Sequence, residues 1–85
     1  MSEISQLSGR QIAAGRVLLG ISQADLAKAS NISAPTLRRM EASEGEASGY
    51  ANNVAAVRST LEATGVEFIP ENGGGAGVRL RKRDG

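Results

Sequence analysis

The chain has 85 residues and a net charge of +1, enough for one small domain around a single modest core. It has no cysteine and no histidine, which excludes disulfides, thiolate metal sites and the commonest acid/base side chain; with Tyr50 and Phe68 as its two aromatics, the core must be aliphatic. No apolar run approaches the length of a membrane span and no signal-peptide pattern opens the chain, so a soluble, cytoplasmic protein is expected.

Residues 1–7 are polar and read as a flexible N-terminus. The stretch "SGRQIAAGRVLLG" then predicts a first helix, with Ser8 as N-cap and Gly20 where a terminating glycine belongs. Ile12, Gly15, Arg16 and Leu19 recur at helical spacing, with Leu18 beside them. Gly15 weakens helix propensity, and its use there is to let a neighbouring helix approach closely. "SQADLAKAS" predicts a second helix, capped by Ser22, with Asp25 completing an S-x-x-D pattern and Leu26 and Ala27 facing inward. "NIS" is a tight turn in which Asn31 tolerates the left-handed conformation. Ser33 caps a third helix with Pro35 in its first turn; Leu37 and Met40 share one face, and Arg38 and Arg39 point away from it.

"ASEGEASG" is a linker of small and acidic residues. A fourth helix is expected over 50–64, with Val54, Val57 and Leu61 on one face. "VEFIP" and "GVRLRKR" alternate apolar and polar residues on either side of the flexible "ENGGGAG", which predicts a β-hairpin with a long loop. That glycine run lacks the Lys-Ser/Thr of a phosphate-binding loop and does not open a helix. The expected fold is therefore mainly α: four to five helices followed by a C-terminal β-hairpin. Its division is a flexible 1–7, a helical unit over 8–64 and a hairpin with a basic tail over 65–85.

Charge is segregated along the chain. Residues 1–40 carry Arg10, Arg16, Lys28, Arg38 and Arg39 against Glu3 and Asp25. Residues 41–71 carry six glutamates against Arg58, and the tail is basic again at Arg79, Arg81, Lys82 and Arg83. An anionic partner met by both ends gives this pattern, and so does a set of solvated faces.

Two short helices joined by a tight turn and preceded by a third make a helix-turn-helix. The stretch "LLGISQADLAKASNISAPTLRRME" resembles the Cro/phage-repressor (XRE) family of DNA-binding domains. The residues that carry the resemblance are Gly20-Ile21-Ser22-Gln23, Leu26-Ala27, Ile32-Ser33, and Thr36-Leu37 with Met40-Glu41; it extends over about residues 8–64. Asn31, where the family usually has glycine, and Gly15, where it often has an aliphatic residue, depart from the pattern. The resemblance implies double-stranded DNA as partner, with Ser33, Ala34, Pro35, Thr36, Arg38 and Arg39 at groove-facing positions. It implies that Gln23 bonds a DNA phosphate, aided by the positive end of its helix; the alternative is a plain exposed residue at the helix start. It also implies a partly buried structural pair, Arg16 with Glu41, tying the first helix to the end of the third; the alternative is Arg16 as a phosphate ligand.

Arginine can donate two hydrogen bonds to a guanine edge, so Arg38 and Arg39 are the expected base readers, with Thr36 secondary. Ala34 and Pro35 have no polar side-chain atoms and can meet only a thymine methyl. An isolated hairpin is marginal in water and needs support. Residues 65–82 are therefore expected to be a dimerisation element with Val66, Phe68, Val78 and Leu80 as its apolar face; the alternative is that the hairpin completes the monomer core. Arg79, Arg81, Lys82 and Arg83 are read equally as phosphate contacts and as charges that guard a strand edge.

The expected function is a homodimeric, sequence-specific transcriptional regulator acting on palindromic operators. Autoregulation on a phage-like or mobile element follows by analogy. The alternative is a protein-interaction module, an antitoxin or antiactivator, on the same scaffold. No enzymatic activity, cofactor, metal, membrane association or small-molecule ligand is expected.

Overall fold

The protein is described by a computed structural model, which covers residues 7–43, 47 and 51–82. Four helices are followed by two strands: α1 (Gly9–Leu19), α2 (Gln23–Ala29), α3 (Ala34–Glu41), α4 (Ala51–Ala63), β1 (Val66–Ile69) and β2 (Gly77–Leu80). Among the described residues there is no fifth helix. Tyr50, part of "ASEGEASG" and Arg83 lie outside the described residues.

Local chemistry sets the helix boundaries. The Ser8 hydroxyl accepts from the Gln11 N–H, and the Gln11 side chain accepts from the Ser8 N–H, a reciprocal box that opens α1. Gly20 ends α1 in the left-handed conformation, φ 73°, with its N–H returned to the carbonyls of Arg16 and Val17. Ser22 and Ser33 open α2 and α3 by accepting from the N–H groups of Asp25 and Thr36. Pro35 sits in the first turn of α3, where its missing donor costs nothing.

The core is aliphatic, as the composition requires. Ile12, Leu26, Leu37, Met40, Val57 and Leu61 are fully buried and draw on all four helices. Leu7 joins them at 5% exposure, and its carbonyl accepts from the Ala47 N–H. This corrects its placement in a flexible N-terminus: a large aliphatic side chain here gains more from the core than from water.

β1 and β2 pair antiparallel, with Val66 opposite Leu80, Glu67 opposite Arg79, Phe68 opposite Val78 and Ile69 opposite Gly77. The four residues expected to form a dimerisation face do lie on one face of this ribbon, but most of that face is turned into the protomer. Val66 is fully buried, and Phe68 and Val78 pack half-buried against the same core. Leu80 alone of the four is exposed, at 46%. The correction is physical: a two-stranded ribbon is unstable unless one face is covered, and α1 and α4 cover it within the chain.

Two contacts fix the hairpin in place. Gln11 Nε2 donates to the carbonyls of Gly77 at 3.0 Å and Ile69 at 3.2 Å, clamping the loop end of the ribbon to the start of α1. At the other end the Arg81 N–H donates to the Gly65 carbonyl at 2.6 Å. Gly15 makes the close approach possible. A Cβ there would lie 3.2 Å from Val66 Cγ1 and 3.7 Å from Leu61 Cδ1, so beside the expected helix, α4, the nearest neighbour it admits is a strand of the hairpin.

Candidate nucleic-acid interface

The α2–turn–α3 unit is held by its turn. Asn31 adopts φ 61°, its N–H bonds the Lys28 carbonyl at 3.1 Å, and the Ile32 N–H bonds the Ala27 carbonyl at 3.0 Å. Asparagine is among the few side chains that tolerate this backbone conformation, so it can replace the usual glycine here.

α3 is divided lengthwise. Leu37, Met40 and Glu41 are buried, while Pro35, Arg38 and Arg39 are exposed. Exposed guanidiniums on one side of a helix anchored by its other side are what a groove-reading helix requires. Thr36 is half-buried, and its hydroxyl lies 2.7 Å from Ser33 Oγ, so both hydroxyls are already partnered in the cap. Ala34 packs partly against the core. Of the six expected groove residues, Arg38, Arg39, Pro35 and Ser33 are the exposed ones.

Behind α3 lies a polar cluster. Arg16 Nε donates to Glu41 Oε2 at 2.7 Å and Nη2 to Oε1 at 3.1 Å, a two-pronged pair with side chains 18% and 6% exposed. Arg16 Nη1 donates to the Ile21 carbonyl at 3.0 Å. The bond from Glu41 raises the Arg16 pKa above its ordinary value against the opposing effect of burial, and the carboxylate's charge adds to the rise. Gln23 Nε2 completes the cluster, donating to Glu41 Oε1 at 2.9 Å. The cluster thus joins α1, the entry to α2 and the end of α3.

Residues 12–49 match the family model described as Helix-turn-helix. The match supports a helix-turn-helix of the Cro/repressor type over this segment. The family is one of DNA-binding regulators, and that is the general class of this protein. The match covers a little under half of the chain and leaves the hairpin outside it. No curated protein matches the chain. Among the described residues, no helix is long and apolar enough to cross a membrane, and no cluster of acidic, cysteine or histidine side chains could hold a metal ion.

Three supports of this fold have little or no local signal in the sequence. Gln11 as hairpin clamp was legible in part, because S-x-x-Q at Ser8 announces the cap, though not its second task. Gly9 packs against the end of α3: a Cβ there would clash with the Met40 carbonyl oxygen and fall 2.9 Å from that of Ser43. The bond between Gln23 and Glu41 has no local signal, because its partners are 18 residues apart.

Proposed function

We propose that this protein is a sequence-specific transcriptional regulator that binds palindromic DNA as a homodimer, with α3 in the major groove. The observation that carries this reading is the exposure of Arg38 and Arg39 on a helix whose opposite side, Leu37 and Met40, is sealed in the core. Arg38 and Arg39 read guanine edges, Pro35 and the rim of Ala34 contact thymine methyls, and Ser33 and Thr36 contribute secondarily. Gln23 bonds a phosphate of the flanking backbone. The chain from 7 to 82 acts as one unit in which the hairpin braces α1.

Homodimerisation is supported by the exposed apolar side chains left after the hairpin's inner face is covered: Leu80, and Val17 and Leu18 at the end of α1. Half-sites about 34–36 Å apart are expected for a symmetric pair of such helices. Control of its own promoter, on a phage-like or mobile element, suits a small regulator of this family.

Selection of bound duplexes from a random pool tests the reading. A recurrent inverted repeat is expected, shifted by the purified protein and also present upstream of its own gene. No selected duplex, together with a co-purifying protein partner, replaces this reading with that of a protein-interaction module.

A further inference from the structure

The Arg16–Glu41–Gln23 cluster does more than join helices. We propose that Glu41 is a positioning residue for DNA binding: it holds the Gln23 side-chain amide in the orientation in which Gln23 meets a phosphate. This rests on the reading of Gln23 as a DNA contact.

An ionised carboxylate only accepts hydrogen bonds, so the atom Gln23 turns toward it must be the amide nitrogen. Glu41 Oε1 takes one of the two hydrogens on Gln23 Nε2, at 2.9 Å, which fixes the amide plane and leaves the second hydrogen to donate. Glu41 itself cannot swing away. Its other oxygen is held by Arg16 Nε at 2.7 Å, and Arg16 is anchored in turn by the Ile21 carbonyl, two residues before Gln23. The cluster therefore references the amide to the backbone at the entry of α2. A free glutamine side chain would have to be ordered when DNA binds; here that ordering is complete in the unbound protein. The affinity at stake for one long side chain is roughly three- to tenfold.

The alternative is that Glu41 matters only for folding. A double-mutant cycle separates the two, with the full chain and a duplex selected by the wild-type protein as probe, at a temperature where thermal melts show every variant folded. Glu41→Asp withdraws the carboxylate but keeps its charge for Arg16. It is expected to weaken binding roughly three- to tenfold in the wild-type background. In a Gln23→Ala background the same change is expected to do nothing. Gln23→Ala alone should cost about tenfold or more, as a lost hydrogen bond to a charged group does. The Gln23 side-chain amide signals should be resolved from those of exposed glutamine in spectra of the free protein, and should merge with them in Glu41→Asp.

Equal losses from Glu41→Asp in both backgrounds overturn the proposal, as do unshifted Gln23 amide signals. Wild-type affinity in Gln23→Ala overturns it while leaving the DNA-binding reading intact. A wild-type protein that selects no duplex removes that reading, and this one with it. If Glu41→Asp does not fold, Glu41→Gln runs the same cycle, because a neutral amide cannot accept from both Arg16 and Gln23 through two oxygens.

Discussion

At the scale of single residues, the cluster behind α3 concentrates the largest consequences. Removing one partner of a buried, hydrogen-bonded ion pair strands the other, at a cost of about 3–5 kcal/mol. Arg16→Ala should therefore lower the melting temperature markedly, since about 1 kcal/mol corresponds to roughly 4–8 °C in a domain of this size. An unchanged melting curve would refute a structural role for the pair. The raised Arg16 pKa makes a second prediction. Its contribution is fully present below the guanidinium's ordinary value and is lost only as pH rises through the raised one. Stability arising from Arg16 should thus be flat across the neutral range. Gly9 is the other sensitive position. A methyl group there meets carbonyl oxygens of the α3 end, which are backbone and cannot rotate aside. Gly9→Ala should destabilise by about 1–3 kcal/mol in chemical denaturation, although alanine is the better helix former.

At the scale of elements, α3 and the hairpin behave oppositely. Changes on the outer side of α3 should leave stability almost unaltered and change binding. Arg39→Ala is expected to relax preference at particular base pairs by about 1–3 kcal/mol. A uniform loss over all sequences in a competition assay would make Arg39 a phosphate contact instead. The hairpin reports on the core. Gly15→Val would drive two methyl groups into Val66 and Leu61, with an expected loss of about 1–3 kcal/mol. Both helix starts of the helix-turn-helix were legible in the sequence because each cap depends on residues within four positions: Ser22 with Asp25, and Ser33 with Thr36. The destination of the hairpin was not. Alternation in "VEFIP" and "GVRLRKR" shows which side chains share a face, but Val66 is equally apolar whether it meets α1 of its own chain or a second copy.

At the scale of the whole molecule, the hairpin and the helical unit form one body, because Val66 is sealed against the helices and Gln11 binds both strands. A truncation that removes the hairpin would expose Gly15 and Leu61, so oligomeric state is better tested by a surface substitution. Leu80→Glu should leave the fold intact and, if its face joins two copies, shift the mass measured by sedimentation from dimer to monomer. Persistence of the dimer would place the interface elsewhere. Binding to duplex DNA should fall steeply with salt, with a log–log slope of about −0.9 per phosphate neutralised. A basic strand that touches DNA would show itself here. Arg79 is paired with Glu67 at 2.6 Å, and Arg81 donates to the Glu62 carbonyl, so a lower slope in Lys82→Ala is the more informative measurement.

What the residue order dictated was everything decided within a turn or two of chain: the caps, the left-handed Asn31, the apolar side of each helix and the pairing of arginines on the outer side of α3. These follow from backbone sterics and from hydrogen bonds closed over three or four residues. What only the folded molecule decided were the meetings of distant residues. Gln11 reaches Gly77 across 66 positions, and Gln23 reaches Glu41 across 18. Several polar partners would serve either side chain equally well, and only the packing of α1 against the hairpin and of α2 against the end of α3 selects one. The same packing decides that Val66 belongs to the core, because the space Gly15 leaves open on α1 is filled by a strand of the same chain.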